Sequence, residues 1–281
     1  MDNCFEGYFL KHQNGEKTLS VIVGRAQDCA FVQAITDECS YRVRYPIEAY
    51  HIEDNHKEKC ILLSGSQFSK EGISLSIHGG DWELTGQVHY SNLCPINGDI
   101  MGPFRFLPMQ CRHKIVSMKH TLCGKVLLNG KEFDFTGGKG YIEGDSGRSF
   151  PKSYTWVQCN AFDRDCSIMA SAAHITFACS WFWGCICVVW LDGAEYRLAT
   201  YRGAKIKRRD QKQLIIEQGD LLLKIDFLQT HTGHLLDAPQ MGKMQRSIHE
   251  VPCAPVHFEF CKGRQTLFEG ESRLASYENV E

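Results

Sequence analysis

The sequence predicts an all-β fold made of many short antiparallel strands. Three observations support this prediction: recurrent hairpin turns, apolar and polar residues that alternate with period two, and almost no long helical periodicity. Short strands joined by glycine-rich turns are typical of β-barrels and β-sandwiches. A chain of 281 residues can form one large unit or two ordinary ones. We expect two halves, residues 1–135 and 136–281, with the boundary anywhere from about 95 to 150.

The hairpin turns are marked by two dipeptides that favour positive φ angles. Asn129-Gly130 follows an apolar run, and Asp192-Gly193 does the same. Alternation predicts strands over residues 73–77, 222–227 and 256–260. The apolar stretch 182–191 has about half the length that a membrane-spanning helix needs, so we predict a strand from Trp181 to Trp190 that is buried on both faces.

The remaining segments are predicted from their turn residues and charges. Residues 93–108, rich in proline and glycine, form either a crossing between the halves or one long loop. The best helix candidate is a short one from Gly242 to Glu250, which precedes Pro252. The basic run from Lys205 to Arg209 follows a predicted strand, and we interpret it as a solvated turn.

Charge and cysteine composition indicate which classes of partner and cofactor the protein does not require. The 31 basic and 33 acidic residues give a net charge of -2, which demands neither nucleic acid nor an anionic membrane, and we predict no nucleic-acid binding. The 14 cysteines are scattered singly and match neither a disulfide framework nor a zinc motif, so we predict no metal. The N-terminal sequence lacks a signal pattern, and we expect a cytoplasmic protein with free thiols.

Candidate functional residues are concentrated between Gly138 and Asn160, a segment that is predicted to form a strand, a polar turn and a second strand. In the second strand, alternation places two aromatic rings and two amides on one face: Tyr154, Trp156, Gln158 and Asn160. The opposite face carries Thr155, Val157 and Cys159. Rings and amides together suit the wall of a ligand pocket, where a few hydrogen bonds orient an apolar ligand.

Two carboxyl groups precede this face. Glu143 and Asp145 share a face if their segment is extended, and Arg148 follows within reach of either. Paired carboxylates can hold one proton and supply a general acid. The alternative, which residue types alone favour, is a surface turn in which Arg148 pairs with Asp145.

Histidines offer a further candidate. His113 and His120 lie on one stretch, but their odd separation sends them to opposite faces of a regular strand. His120 has either an ordinary buried role, which we favour, or a role as a proton shuttle. Gly138-Lys139-Gly140 lacks phosphate-loop spacing, and no nucleophile motif is present, so neither nucleotide binding nor covalent hydrolysis is supported.

These residues resemble the tocopherol cyclase family, in its bacterial branch. The resemblance is carried by Gly138 to Glu143, Asp145, Gly147, Ser149 to Pro151, Trp156, Gln158 and Asn160. Further segments in family order extend it over nearly the whole chain: Phe5-Glu6-Gly7, Lys11-His12-Gln13, Met101 to Phe104, Ala199-Thr200-Tyr201, Gly203 to Ile206, and Ala238-Pro239 with Gly242, Met244, Ile248 and Glu250. The chain departs from the family pattern at Ser146, where tryptophan is usual, at Tyr8, and at Gln110 and Lys114.

The resemblance implies two packed lipocalin-like β-barrels with an apolar cavity. It also implies closure of a prenylated hydroquinone, or a related terpenoid-like substrate, to a chromanol, without a redox cofactor. On this basis Asp145 or Glu143 is the acid, Tyr154 and Trp156 form an aromatic wall, and Gln158 and Asn160 orient the phenol. Arg148 and His120 complete the candidate substrate-binding residues.

The implied partner is a small apolar or prenylated ligand, which leaves room for transient membrane contact without an integral membrane segment. The alternative is a lipocalin-like protein that binds an apolar ligand without chemistry, because fold alone does not fix activity.

Overall fold

A computed structural model describes residues 4–54, 59–177, 180–229 and 232–281. The predicted all-β class is confirmed, since the described residues form antiparallel strands with few helical residues. Helices in this part of the chain are short 3-10 turns, at Ile47–Ala49, Gly102–Phe106 and Thr200–Arg202. None of them has the length and apolar character that crossing a membrane requires.

The first sheet has twelve strands among the described residues. They are β1 (Phe5–Asn14), β2 (Lys17–Arg25), β3 (Ala30–Thr36), β4 (Ser40–Tyr45), β5 (Tyr50–Asp54), β6 (Lys59–Leu63), β7 (Ser66–Ser69), β8 (Gly72–Gly79), β9 (Trp82–Ser91), β10 (Cys111–Leu128), β11 (Lys131–Asp134) and β12 (Lys139–Gly147). Their order is β4-β3-β2-β1-β12-β10-β9-β8-β7-β6-β5, with β11 paired to β10. The order ends at β4 and β5, so the sheet is open rather than a closed barrel.

The second sheet has ten strands in the same described ranges. They are β13 (Tyr154–Cys159), β14 (Cys166–Phe177), β15 (Ser180–Leu191), β16 (Ala194–Ala199), β17 (Lys205–Arg209), β18 (Gln213–Gln218), β19 (Leu221–Phe227), β20 (His234–Gln240), β21 (Lys243–Lys262) and β22 (Gln265–Val280). Their order is β16-β15-β14-β13-β22-β21-β19-β18-β17, with β20 paired to β21. This sheet is also open, which fits the sandwich form of the predicted fold.

The chain forms two compact units. Unit 1 comprises Met1–Pro95, Ile115–Ser149 and Leu236–Ser247, and unit 2 comprises Ile96–Lys114, Phe150–Leu235 and Ile248–Glu281. Each unit has its own apolar core, because alternate residues of its strands turn toward one face of the sheet. Leu84 and Val126 belong to the core of unit 1, and Leu223 and Phe258 to that of unit 2.

The predicted hairpins are confirmed. Asn129 and Gly130 join β10 to β11 with φ angles of 50° and 78°, and Asp192 and Gly193 join β15 to β16 with 48° and 83°. These left-handed values match the twist of antiparallel hairpins. The strands predicted over residues 73–77, 222–227 and 256–260 are present as parts of β8, β19 and β21.

The predicted helix from Gly242 to Glu250 is wrong. Gly242 closes a turn with Met241, both at positive φ, and β21 begins at the next residue. Met244 and Ile248 are buried four residues apart, a spacing that is compatible with both helical and strand periods. The spacing alone therefore did not separate the two structures.

Two predictions in unit 2 are corrected. The strand expected to be buried on both faces is buried over its second half, but Trp181 is 61% exposed and Trp183 is 36% exposed. The basic run from Lys205 to Arg209 is strand β17, paired with β18, rather than a turn. β17 ends the strand order of its sheet, where charged side chains discourage pairing with other chains.

Candidate functional site

The predicted site residues are divided between the two units. Unit 1 holds His120, Glu143, Asp145 and Arg148. Unit 2 holds Tyr154, Trp156, Gln158 and Asn160. Each set therefore has to be considered within its own sheet.

The two acidic residues of unit 1 form a carboxylate pair on β12. Alternation places Tyr141, Glu143 and Asp145 on one face, and a carboxylate oxygen of Glu143 lies within 4.8 Å of one of Asp145. Glu143 is 5% exposed and Asp145 is half-buried. The alternative of a surface turn is wrong, because both residues lie inside a paired strand.

Tyr141 fixes the position of the Glu143 carboxylate. Its hydroxyl donates a hydrogen bond of 2.5 Å to Oε2 of Glu143, and its ring is fully buried. Burial, together with the charges of Glu143 and Asp145, raises the pKa of Tyr141 well above its usual value of 10. The phenol is therefore a neutral donor at physiological pH. The cross-strand neighbour of Glu143 is Phe9, whose buried ring makes the surroundings apolar.

His120 lies on the opposite face of the same sheet. A Cβ atom added to Gly140 would lie 2.1 Å from Nε2 of His120, so the imidazole covers this glycine. Gly140 and Glu143 are three residues apart on β12 and point to opposite faces. A ligand approaching one face would contact either His120 or the carboxylate pair.

The surroundings of His120 keep its ring neutral. Burial, followed by the nearby His12, lowers the pKa of His120 to about 3. Ser117 donates its hydroxyl proton to the carbonyl of Lys119, so Nδ1 of His120 is the donor across the 3.3 Å to Ser117 Oγ. Nε2 is thus an acceptor, and it is buried without a partner among the described residues. The buried role that we favoured for His120 agrees with its 4% exposure.

His12 and Tyr90 adjoin His120 on this face. Burial lowers the pKa of His12 to about 4, and Nδ1 lies 3.0 Å from the carbonyl oxygen of Leu19. Nδ1 must donate to that carbonyl, so Nε2 accepts the Tyr90 hydroxyl at 2.6 Å. The rings of Tyr90 and His120 are 4.5 Å apart. Two neutral imidazoles and a phenol therefore lie within the apolar core of unit 1.

Arg148 is exposed, whereas Glu143 is buried and Asp145 half-buried. Its side chain is exposed, while its carbonyl accepts a hydrogen bond of 2.7 Å from the amide of Gly242. This hydrogen bond of Arg148 is made by its backbone. A role in binding substrate remains a prediction.

In unit 2, β13 has the two faces that alternation predicts. Val157 and Cys159 belong to the apolar core. The opposite face carries Tyr154, Trp156 and Gln158, and Asn160 follows the end of the strand. All four predicted pocket residues are less than 7% exposed. Aromatic and amide groups are therefore both shielded from water on this face.

Sequence reasoning missed a second carboxylate pair, on the same face as Trp156. Glu278 on β22 is the cross-strand partner of both Trp156 and Glu250, so the three side chains form one row. Glu250 is fully buried, and the hydroxyl of Tyr154 donates a hydrogen bond to Oε2 of Glu278. Because Tyr277 is a core residue, alternation predicts that its neighbour Glu278 points away from the core. The sequence does not indicate that β22 pairs with β13 and β21, so the carboxylate pair could not be predicted.

The fold and the buried polar groups define a two-sheet β protein with a carboxylate pair in each unit. Residues 82–278 match the family model described as tocopherol cyclase-like. The chain belongs to this family, as its sequence predicted. Both carboxylate pairs and all the predicted site residues lie within the matched range.

Solved structures with similar folds have low sequence identity. A protein designated AttH from Nitrosomonas europaea has a TM-score of 0.60 at 11% identity, covering 99% of this chain and 93% of its own. Kievitone hydratase from Nectria haematococca has a TM-score of 0.53 at 11% identity, with coverage of 99% and 89%. CghA bound to Sch210972 has a TM-score of 0.62 at 9% identity, with coverage of 99% and 88%. At these identities the likeness shows the fold. Among curated proteins, no sequence matches this chain.

Proposed function

We propose that this protein catalyses the acid-initiated cyclisation of a prenylated hydroquinone or a related terpenoid-like substrate. The observation that carries the proposal is the buried Glu143 carboxyl group, held by the Tyr141 hydroxyl and paired with Asp145. Membership of the tocopherol cyclase-like family supports the reaction class. The substrate class comes from the same resemblance.

The reaction needs a proton donor in surroundings that exclude water. The acid protonates the trisubstituted alkene of the prenyl chain, and a tertiary cation forms. The phenol oxygen attacks this cation, a carbon–oxygen bond closes the ring, and the phenol proton returns to the carboxylate. The product is an isomer of the substrate, so the step consumes neither oxidant nor reductant. Water in the site would trap the cation as an alcohol.

Each residue of the carboxylate pair has a separate role in this proposal. Glu143 is the proposed acid, and the hydrogen bond from Tyr141 to Oε2 fixes the orientation of its carboxyl group. Asp145 is the neighbouring carboxyl group on the same face of β12, with an oxygen within 4.8 Å of one of Glu143. Phe9, opposite Glu143, keeps the surroundings of the acid apolar.

The other predicted residues, except His120, keep proposed roles in binding the substrate. Tyr154 and Trp156, in unit 2, present buried rings, which suit an apolar chain. Gln158 and Asn160 supply amides, which suit a phenol oxygen. Arg148 also remains a candidate substrate-binding residue, whereas His120 lies on the face opposite Glu143 and would not contact a substrate held by the carboxylate pair. A cytoplasmic location, expected from the cysteine content, remains a prediction.

Incubation of the purified protein with a geranylated hydroquinone in deuterated water tests the proposal. We expect a chromanol that carries one deuterium on the prenyl-derived carbon framework, detected by mass spectrometry. Glu143→Gln and Asp145→Asn should each abolish this product, while Glu83→Gln, at an exposed carboxylate of the same unit, should not. Recovery of unchanged hydroquinone in stoichiometric complex would instead support the alternative, a lipocalin-like binder without chemistry.

A further inference from the structure

Unit 2 exposes tryptophan side chains at the start of β15. Trp181 is 61% exposed and Trp183 is 36% exposed, and the two point to the same face of the strand. His174 on β14 lies between them, with ring centroids 4.9 Å from Trp181 and 5.9 Å from Trp183. The three rings form an ordered aromatic cluster on the surface rather than two independent side chains.

The basic strand β17 lies beside this cluster. The Arg209 guanidinium lies 4.4 Å from the ring centroid of Trp183, and β17 approaches β15. Arg209 is held in this position because Nη2 donates to Oδ1 of Asn279 and to the carbonyl of Val280. Four of the five residues of β17 are lysine or arginine. The tryptophans therefore adjoin a strip of positive charge.

Nearby carboxylates neutralise part of this strip. Lys207 lies 3.3 Å from Glu217, and Arg208 lies 2.6 Å from Asp210. The side chains in both pairs are between 41% and 53% exposed, and ion pairs exposed to this degree are weak and screened by salt. Lys205 and Arg209 add two further positive charges, and the carboxylate of Glu281 lies close enough to Arg209 to offset part of the second. The strip keeps an excess of positive charge for an external anionic partner.

We propose that the surface formed by His174, Trp181, Trp183 and β17 docks unit 2 onto the anionic face of a lipid bilayer. Indole rings favour the boundary between headgroups and acyl chains, because they are apolar with one polar N–H group. Lysine and arginine beside them attract anionic headgroups. This inference goes beyond the proposed function and needs no catalysis, although a prenylated ligand would itself partition into bilayers.

Other occupants fit the surface less well. A second copy of this chain would bring its own strip of lysine and arginine against the first, and like charges oppose such contact. Single-stranded nucleic acid binds by stacking bases on free aromatic faces. Here His174 stacks against Trp181 with an interplanar angle of 24°, and Arg209 covers a face of Trp183. Insertion of ring edges among lipid headgroups does not require those faces.

Sedimentation with vesicles tests the proposal with the full chain. Binding should be strong to vesicles that mix phosphatidylglycerol with phosphatidylcholine, weak to phosphatidylcholine alone, and reduced by added salt. The double variant Trp181→Ser/Trp183→Ser should lower the partition coefficient roughly tenfold or more. Lys205→Gln should lower it about fivefold.

Leu127→Ser provides the matched control, because Leu127 is 42% exposed on strand β10 of unit 1. It should bind vesicles as the parent does. Circular dichroism of each variant checks that the fold is retained. If the tryptophan variant does not fold, the binding of Lys205→Gln to vesicles still tests the proposal. Equal binding by Lys205→Gln and the parent, dimerisation through this surface, or preferential capture of single-stranded DNA would each overturn the proposal. Chromanol formation in detergent solution would be unaffected by that failure.

Discussion

The two units each carry a carboxylate pair with a tyrosine hydroxyl bound to it, but the pairs are built differently. In unit 1 the tyrosine and its carboxylate, Tyr141 and Glu143, are two residues apart on one strand. In unit 2 Tyr154 and Glu278 are 124 residues apart, on neighbouring strands. The partner carboxylate is half-buried in the first pair, Asp145, and fully buried in the second, Glu250. A similar donor and acceptor arrangement therefore arises from local alternation in one unit and from strand pairing in the other.

Neutralising one carboxylate in each unit is the strongest test of whether the two pairs differ in function. We expect Glu143→Gln to lower the cyclisation rate about 10³-fold, because a general acid contributes on this scale. Glu278→Gln should change the rate by only a few fold. Single-turnover kinetics with the geranylated hydroquinone measure both. A large loss of rate in Glu278→Gln and a small one in Glu143→Gln would show that the proton comes from the carboxylate pair of unit 2.

A second prediction concerns the histidine face of unit 1. Gly140→Ala would place a Cβ atom 2.1 Å from His120 Nε2, and the ring of His120 is itself packed against Tyr90. We expect the free energy of unfolding to fall by about 2 kcal/mol, which is typical of overpacking. Urea denaturation measures the loss.

The double variant Gly140→Ala/His120→Ala provides the control for this overlap. If the clash is with the imidazole, adding Gly140→Ala to His120→Ala should cost much less than it does in the parent. Additive losses would show that the glycine is required by the backbone instead.

The pH dependence of stability tests the same face. The pKa of His12 is lowered from 6.5 to about 4 in the folded protein, so the neutral ring is favoured by folding. The unfolded chain binds this proton below pH 6.5 while the folded chain does not, and stability falls as pH decreases from 6.5 toward 4. From pH 7 to pH 5 the loss due to His12 should be about 2 kcal/mol.

Urea denaturation at the two pH values measures this loss, and His12→Asn should show a smaller pH dependence than the parent. An unchanged pH dependence in that variant would assign the effect to other groups.

Local pattern accounts for what the sequence predicted correctly. Alternation assigned the faces of β13, and Asn129-Gly130 located a hairpin. For Glu143 and Asp145 alternation offered a shared face, but residue types alone favoured a surface turn, because the pairing of β12 with β1 cannot be seen in the local sequence. The pairing of Glu278 with Trp156 and Glu250 could not be predicted, because it depends on which distant strands meet. The exposure of Trp181 likewise depends on tertiary packing. An apolar run predicts burial, and only the position of the surrounding strands shows which of its residues are exposed.

The smallest effects are expected when the hydroxyl groups of the two tyrosine donors are removed. Tyr141→Phe and Tyr154→Phe each remove one hydroxyl that donates to a carboxylate, and each should lower the free energy of unfolding by about 1–2 kcal/mol. Only Tyr141→Phe should also lower the cyclisation rate, by about tenfold, because the orientation of Glu143 depends on that hydroxyl. Parallel measurements of urea denaturation and single-turnover rate separate the two effects. Equal rates in both variants would mean that Tyr141 stabilises the strand without positioning the acid.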